Sequence, residues 1–421
     1  MVGGKTVSRP ETKRFPWGAV IALAMGMLVY GVAESYGPVS AIGKVFPQNL
    51  AYVAFSLPYI AGGVGALLAG YMADKMGRRN AFLIASLLIL LGIIIYIIGP
   101  TNIPALIISF ILIGMAAIGL ETPILSIIAE TIPAKWRGNT EVIVQNFGNL
   151  GVALLFIPLF LNLSSLQVNA AIALLFLAPL AALVIGYFMV SESKPWKALA
   201  KGGNVEQAWR SMDGDDEPIK PSTSIGLRFA TLMVLGIVQD VAFLYITYGI
   251  GFLYFSSNLA DSIPIIGGLT MVVVGVIFGA SVHRMSRRKS TLWSYGLLAL
   301  FWAVLWAYVA ITGDNSGITL VLLTMILFIF VETTWGTRAM LEPEIFPTRK
   351  RGTYISYVRA VVWIIAGAIF GILTLYTLSF SVEAAIVMLI FAIGLAMSIV
   401  WYLKGFETSR RSLVSHDVKK V

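Results

Sequence analysis

The sequence predicts an all-α membrane protein with twelve membrane-spanning helices in two similar six-helix bundles. Of its 421 residues, 58% are hydrophobic and only 12% are charged, and the mean hydropathy is +0.86. A soluble domain of this length carries about twice that share of charges. Two loop patterns also occur twice, about half a chain apart. Such a repeat in strongly apolar sequence indicates two homologous membrane halves, which typically pack around a central site.

The individual helices follow from the lengths of the apolar runs. A helix needs about 20 mainly apolar residues to cross a bilayer. Short polar breaks rich in Gly, Pro, Asn and Ser separate the runs, as at 99–102 and 313–317. We predict spans at 16–36, 51–73, 81–99, 104–129, 140–161, 166–190, 227–252, 261–282, 291–312, 317–341, 353–378 and 382–403.

Four segments follow from this placement. We predict an N-terminal bundle over 1–190, a linker over 191–225, a C-terminal bundle over 226–404 and a tail over 405–421. The linker is the one long hydrophilic stretch, and residues 205–212 within it are suited to a short surface helix. The tail is basic and is expected to be mobile. The first span is too long for a cleavable signal peptide and lacks a small-residue cleavage site.

The basic residues predict the orientation. All but three of the 30 lysines and arginines lie in the N-terminal tail, the linker, the C-terminal tail or the loops on the same side. The exceptions are Lys44, Arg338 and Arg359. By the positive-inside rule, both termini and the linker are cytoplasmic, and the protein is a multi-pass protein of the cell membrane.

Several classes of function are disfavoured by what the sequence lacks. There is no cysteine, and the two histidines, His283 and His416, are far apart in sequence. The chain has no nucleotide-binding loop and no His-Glu-x-x-His pattern. We therefore expect no enzyme activity, no cofactor and no metal site. No folded basic face with interleaved aromatics is present, so nucleic acid is not an expected partner.

The repeated loops carry a family resemblance. Residues 70–79 read Gly-x-x-x-Asp-Lys-x-Gly-Arg-Arg, and 279–288 repeat this pattern with His283 and Ser286 at two fixed positions. Residues 130–138 read Glu-x-x-Pro-x-x-x-Arg-Gly, and 344–352 repeat them. These loops resemble those of the major facilitator superfamily, in the branch that contains sugar porters, phosphate–proton symporters and organic-ion transporters. The resemblance implies the two-bundle fold and secondary transport by alternating access.

Further positions resemble the sugar porters in part. Residues 192–196 look like the element that follows their sixth span, and Gln145 and Gln239 stand where they keep substrate-facing glutamines. The Gly-Pro-x-x-Trp pattern of their tenth span is missing. Phe110 stands near the place of their span-four arginine. The sequence Glu121-Thr122-Pro123 instead is similar to the Asp-Tyr-Pro of phosphate–proton symporters, so the substrate class stays open.

The resemblance also implies a cytoplasmic gate. Charged residues at the loop ends of both halves are expected to pair when the protein is closed to the cytoplasm and to separate when it opens. Arg78, Arg137 and Glu130 are expected to approach one another, as are Arg287, Arg351 and Glu344. Basic residues that only fix topology would not require the same Glu-to-Arg spacing in both halves. The predicted gate residues are Asp74, Arg78, Arg79, Glu130, Arg137, Glu141, Arg287, Arg288, Glu344 and Arg351.

Three acids inside predicted spans are candidates for proton coupling. A charge near the bilayer centre costs roughly 3 kcal/mol on insertion scales, so it persists where it faces a cavity or a partner. Glu34 in span one is expected to be the main proton carrier, and Asp240 or Glu121 is next. The argument for Glu34 is that the family arginine which would hold such an acid ionised is absent from span four. Substrate binding and an outer-loop position are the alternatives for Glu34.

Substrate binding is assigned to polar and aromatic residues of the central spans. Arg359 could clamp an anionic substrate or neutralise an acid such as Asp240 or Glu332. Arg338 is expected to form an i,i+4 pair with Glu342. The predicted substrate-binding residues are Gln145, Gln239, Asp240, Tyr245, Trp335, Arg359 and Glu332.

The function that fits these features best is proton-coupled symport of a small polar or anionic metabolite, such as a sugar, phosphate or an organic acid. The partners are then the solute, protons and membrane lipid, and the protein is expected to be a monomer. Two alternatives stay open, a sugar facilitator that moves no protons and a proton-driven exporter of drugs or organic cations.

Overall fold

The computed structural model describes residues 15–161, 163–164, 167, 177–214, 216–314, 317–376 and 378–417. These residues form helices and connecting loops and no sheet; an isolated bridge joins Pro218 and Ser412. Eleven helices of the described part are long and apolar enough to cross a membrane, and a bent pair could supply a twelfth. The sixth predicted span, 166–190, lies partly outside the described residues.

The N-terminal half contributes the first seven helices. The predicted first span is interrupted at Ser35 and continues to Ile42, six residues beyond its expected end at 36. Pro16 precedes the first helix, and the Asn102 side chain caps the fifth by accepting from the Ala105 amide at 3.0 Å. The helices are α1 (Trp17–Glu34), α2 (Tyr36–Ile42), α3 (Ala51–Lys75), α4 (Arg78–Ile98), α5 (Ile103–Thr131), α6 (Ala134–Phe160) and α7 (Leu177–Met189).

The linker and the C-terminal half contribute the remaining helices. The seventh span includes one π-helical turn, Tyr245–Gly249, between two α-helical parts. The helices are α8 (Lys194–Ala200), α9 (Val205–Asp213), α10 (Ile225–Leu244), α11 (Ile250–Tyr254), α12 (Ser257–Ser281), α13 (Arg287–Thr312), α14 (Ile318–Glu344), α15 (Arg351–Leu375) and α16 (Phe380–Lys404).

The two halves meet along two seams. In one seam α3 packs along α15, and in the other α6 packs along α12. Glycines allow the close approach, as they do in other membrane helix pairs. Gly70 lies directly against Gly352 and Ser356, and Gly275 lies against Asn146, so a Cβ at either glycine would collide with the opposite helix. We call these contacts the α3–α15 seam and the α6–α12 seam.

Apart from the loop with Lys44, the loops that carry basic residues lie at one end of the bundle, which we call the basic end. The linker helix α9 forms as predicted, but it is not a free surface helix, because Trp209 and Asp213 are buried. The expectation of a mobile tail is also wrong for the described tail residues, 405–417. Phe406 and Leu413 are buried in a cluster with Trp209 and Ile219. Burial of apolar side chains from the tail and the linker therefore holds both segments against the basic end.

Candidate functional site

A small cavity lies between the two halves at the centre of the molecule. Its wall is made by two carboxyls, one amide and four aromatic rings from α1, α10, α14 and α15: Tyr30, Glu34, Gln239, Asp240, Phe243, Trp335 and Trp363. Its volume is about 10 Å³, which is room for about one water molecule. All of these side chains are buried, so the structure is closed at this level.

Glu34 ends α1 and faces this cavity. Its side chain lies close to that of Tyr30, one helical turn earlier, and its Oε2 accepts no hydrogen bond from the described residues. The Tyr59 hydroxyl donates to the Glu34 carbonyl at 2.9 Å and holds the helix end in place. The sequence argument for Glu34 concerned only the arginine that is absent from span four. Arg338, far away in sequence, lies within electrostatic reach of the carboxyl.

A chain of ion pairs runs from the cavity into the N-terminal half. Asp240 accepts from Arg338 at 3.1 Å, and Arg338 lies 3.4 Å from Glu342, which confirms the predicted i,i+4 pair. Arg359 contacts Glu342 at 2.6 Å and also pairs with Glu121. The sequence predicts that Arg359 clamps an anionic substrate or neutralises an acid such as Asp240 or Glu332. Arg359 does pair with acids, but these are Glu121 and Glu342, because α15 presents it to α5 and α14.

Gln145 belongs to the same chain. Its amide donates to Glu121 at 3.2 Å, so it acts here as a neighbour of the acid rather than as a wall of the cavity. Glu332 is placed elsewhere. Its carboxyl accepts from Asn149 at 2.6 Å in the α6–α12 seam, and it does not line the cavity. Both residues are therefore near the centre of the molecule, but neither faces the space described above.

The two aromatic candidates have different environments. Trp335 lines the cavity and stacks on Tyr30 with ring centroids 6.2 Å apart. Tyr245 does not line it, which corrects the sequence assignment, because its ring packs on Trp302 within the C-terminal half at 5.8 Å. Tyr245 lies two residues after Phe243, or about 200° around the helix, so it points away from the cavity.

Aromatic side chains close the end opposite the basic end. Phe55 of α3 packs on Phe252 at 5.0 Å and on Phe370 at 5.2 Å. Tyr248 stacks on Phe156 at 5.7 Å, and its hydroxyl lies 2.9 Å from the Ser35 hydroxyl. These contacts join the N-terminal and C-terminal halves above the cavity. The structure is therefore an occluded state.

Ion pairs close the basic end. Arg78 contacts Asp74 at 2.7 Å and Glu130 at 3.0 Å within the N-terminal half. Arg351 of the C-terminal half also contacts Glu130, at 2.6 Å. Asp74 accepts from the Thr353 amide at 2.7 Å, so a carboxylate lies at the start of α15, where the helix dipole favours negative charge.

The C-terminal half repeats only part of this arrangement. Arg287 contacts Glu344 at 3.2 Å, as Arg78 contacts Glu130. Arg351 does not pair with Glu344 as expected, since it reaches across the α3–α15 seam to Glu130. Arg137 likewise does not approach Glu130. It contacts Asp213 of the linker helix at 3.2 Å, because α9 folds over the start of α6.

Two predicted gate arginines, Arg79 and Arg288, take no part in the ion pairs of the basic end. The guanidinium of Arg79 donates to the Tyr187 carbonyl, and that of Arg288 to the Tyr402 carbonyl. Each follows the buried arginine of its motif by one residue and so points about 100° away from it. Glu141 is placed among the gate charges, near Arg137, Arg287 and Glu344, but neither of its oxygens accepts a hydrogen bond from the described residues.

Sequence reasoning missed a carboxylate cap at each repeated loop. Glu192 accepts from the amides of Arg78 and Arg79 at 3.0 and 3.2 Å, at the start of α4. Glu407 accepts from the Arg287 amide at 3.0 Å, at the start of α13. The signal was available, because Glu407-Thr408 stands after the last span as Glu192-Ser193 stands after the sixth.

Other functional candidates that the sequence did not single out come from the folded arrangement. Tyr30 and Trp363 face the cavity, Glu342 joins the two arginines, and Asp213 binds Arg137. The i,i+4 spacing of Arg338 and Glu342 was a signal for one of them. The sequence pattern around Tyr30, Trp363 and Asp213 does not distinguish them from other residues of the spans or the linker.

Comparisons with known proteins agree with this architecture. A model of the Major Facilitator Superfamily matches residues 14–371. The chain is 26% identical to the glucose transporter GlcP of Staphylococcus epidermidis, over 93% of this chain and 94% of that protein. It is 24% identical to the D-xylose transporter of Levilactobacillus brevis, over 83% of each.

Solved structures show the same fold. The proton:xylose symporter XylE bound to 6-bromo-6-deoxy-D-glucose superposes with a TM-score of 0.77 at 19% identity, covering 96% of this chain and 98% of that chain. The human organic anion transporter MFSD10 superposes with a TM-score of 0.63 at 14% identity, covering 91% and 100%. Two such different solutes on one fold mean that the fold alone does not choose the substrate.

The protein is thus a multi-pass membrane transporter built from two pseudo-symmetric six-helix bundles. It belongs to the major facilitator superfamily. This confirms the family resemblance and the fold class predicted from the repeated loops. The named relatives are transporters and not enzymes, in agreement with the sequence prediction.

Proposed function

We propose that the protein is a proton-coupled symporter of a small neutral polar solute of the sugar class. The observation that carries the proposal is the central cavity, where the buried carboxyl of Glu34 shares a wall with Trp335 and Trp363 and one of its oxygens has no hydrogen bond within the described part of the chain. Aromatic faces suit the C–H faces of a sugar ring, and carboxyl and amide groups suit its hydroxyls. The relatives named for glucose and xylose support this solute class.

Charge favours a neutral solute over an anionic one. Both arginines near the cavity are already paired with carboxyls: Arg338 with Asp240 and Glu342, and Arg359 with Glu121 and Glu342. An anionic solute would have to displace a buried acid from its guanidinium, which leaves an unpaired charge behind. This narrows the sequence prediction, which had kept phosphate and organic acids beside sugars.

Glu34 is the proposed main proton carrier. Desolvation favours the neutral form of a carboxyl, and exposure to water favours the charged form. A carboxyl at the wall of a cavity that opens to alternate sides can therefore load a proton on one side and release it on the other. Asp240 and Glu121 are the other proposed carriers. Gln239 and Asp240 would hold solute hydroxyls, and Gln145 would do so when the cavity opens.

The proposed orientation puts the basic end in the cytoplasm, together with both termini and the linker. All but three of the 30 lysines and arginines lie on that side, which is the pattern of proteins inserted in a cell membrane. The ion pairs of the basic end then form the cytoplasmic gate, and the aromatic contacts of Phe55 and Tyr248 form the outer gate. The proposed working unit is a monomer surrounded by membrane lipid.

Solute uptake into proteoliposomes tests the proposal. A thermal-shift screen with glucose, xylose, inositol, phosphate and citrate first selects the solute, because a ligand of the native state raises its apparent stability. Labelled solute should then accumulate against its gradient when the outside is acidic. Uptake that never exceeds equilibration at any pH gradient would mean a facilitator. Accumulation driven by an acidic interior would mean an exporter.

The variant Glu34→Gln tests the main carrier. With no membrane potential, each coupled proton raises the limiting accumulation ratio about tenfold per unit of pH gradient, since a factor of ten corresponds to about 1.4 kcal/mol. Glu34→Gln should lower the ratio about tenfold at one pH unit while solute exchange at equal pH continues. Glu206→Gln, on the exposed face of α9, is the matched control. An unchanged ratio in Glu34→Gln would place the carrier elsewhere.

A further inference from the structure

Five charged side chains form one continuous chain across the centre of the molecule. None is more than 1% exposed. The chain runs from α10 through α14 and α15 to α5: Asp240, Arg338, Glu342, Arg359 and Glu121. One end, Asp240, lines the central cavity, and the other, Glu121, accepts from Gln145. We call these five residues the ionic chain.

The ionic chain is unbalanced in the closed state. It contains three carboxyls and two guanidiniums, so it carries one net negative charge when every group is ionised. Arginine stays protonated in proteins, so only the acids can change. An uncompensated charge buried at this depth strongly destabilises the closed state. One bound proton removes that cost.

The described residues around the ionic chain supply no other positive charge. The titratable groups that act on the chain from neighbouring helices are Glu34 and Tyr30 of α1 and Tyr295 of α13. Gln145 is the polar neighbour from α6. Among the described residues, no lysine, histidine or third arginine pairs with any member of the chain. The balance therefore has to come from a proton or from a bound cation.

One link of the chain joins the two halves. Glu121 belongs to α5 in the N-terminal half, whereas the other four residues belong to α10, α14 and α15 in the C-terminal half. When the halves separate at this level, Arg359 leaves Glu121 and keeps Glu342. The four residues that remain together are two acids and two arginines, which balance without a proton. Glu121 then stays with Gln145 and is exposed to water.

We propose that the ionic chain binds one exchangeable proton in the closed state and releases it to water when the Arg359–Glu121 pair separates on opening of the basic end. The proton is taken up from the opposite side, so no other reactant is needed. This proton is additional to the one proposed at Glu34. The inference rests on the proposed symport and predicts two coupled protons for each solute.

The limiting ratio of internal to external solute tests the predicted number of two coupled protons. At one unit of pH gradient and no membrane potential, the parent should reach a ratio of about 100, and Glu121→Gln should reach about 10. The double variant Glu121→Gln with Glu34→Gln should only equilibrate. A parent that shows no coupling would overturn the proposed symport itself. A coupled parent whose Glu121→Gln variant keeps the full ratio would overturn only the ionic-chain proposal.

A second measurement does not depend on transport. The chain has no cysteine, so Lys75→Cys and Arg349→Cys, exposed on the two halves at the basic end, give a single labelled pair. The fraction of molecules closed at this end should rise as pH falls, because the closed state binds more protons. The slope of that equilibrium against pH should decrease by one proton in Glu121→Gln. An unchanged slope would contradict the proposal even if the variant cannot transport.

Discussion

The two copies of the basic-end motif share their arginines and glutamates, but these residues make different contacts in the two halves. Within each half the first arginine pairs with the glutamate, as Arg78 does with Glu130 and Arg287 with Glu344. The second arginine differs. Arg351 crosses the α3–α15 seam to Glu130, whereas Arg137 binds Asp213 of the linker helix.

The reason lies in what covers each copy. In the C-terminal half, the tail binds Glu344, whose carboxylate accepts a hydrogen bond from the Thr408 hydroxyl at 2.5 Å. Arg137 also donates to the Arg411 carbonyl of the tail at 3.1 Å. Contacts with the linker and the tail thus take the place of a second ion pair between the two halves. A repeated motif therefore preserves the contact inside each bundle, while non-repeated segments decide the contact between bundles.

The largest expected effect on closure of the basic end comes from replacing Glu130, the acid that two arginines share. Glu130 serves Arg78 and Arg351 together, so Glu130→Gln leaves buried Arg351 without its carboxylate and Arg78 with Asp74 alone. We expect closure of the basic end to weaken by about 3 kcal/mol. The distance between labels at Lys75→Cys and Arg349→Cys reports the closed fraction. Glu344→Gln is the matched control, because its ion pair lies within one half. Equal opening in both variants would mean that the two copies are equivalent.

A smaller effect is expected from the linker contact. Arg137→Ala removes the partner of buried Asp213, and Asp213→Asn removes the charge from the other side of the pair. Both should release α9 from the basic end and favour the state open there, by less than Glu130→Gln because the Arg137–Asp213 pair does not cross a seam. Limited proteolysis near 201–204 measures release of α9. Cleavage as slow as in the parent would show that apolar packing of Trp209 holds the helix alone.

The smallest expected effect is a dependence of tail docking on pH. Burial lowers the pKa of His416 to about 3, and its Nε2 lies 3.0 Å from the Glu344 carbonyl. The undocked tail has an ordinary histidine, with a pKa near 6.5, so it binds more protons than the docked tail between about pH 6.5 and 3. Docking should therefore weaken as pH falls from 7.5 to 5.5.

Amide hydrogen exchange of the tail measures this. His416→Gln should remove the dependence in that range. Glu407 does not supply it. Burial alone would raise the pKa of Glu407, but the Ser286 hydroxyl and backbone amides of Ser409 and Arg287 hold it below the usual value. Its contribution is thus present above about pH 4.3 and is lost only in stronger acid. A pH dependence that persists in His416→Gln would contradict the assignment.

The fold could be predicted well because its signals are local. A bilayer requires long apolar helices, and a repeat in sequence requires a repeat in structure. The candidate site was harder. Glu34, Asp240, Gln239 and Trp335 could be placed near the centre because polar or large aromatic residues inside apolar spans need a partner or a cavity. Tyr245 meets the same criterion but faces away from the cavity. It lies two residues after Phe243, and this offset turns its side chain to the other side of the helix.

The sequence by itself determined the helices, their grouping in two halves, the side that carries the basic loops and the residues that could bear charge inside the membrane. Only the tertiary structure decided which charges pair. Arg359 and Glu121 are 238 residues apart in sequence, and Arg351 and Glu130 are 221 apart. Apolar periodicity and membrane length act along one helix, whereas an ion pair depends on the rotation and height of two helices packed together. That arrangement is set by glycine contacts in the seams and by the linker and tail that cover the basic end.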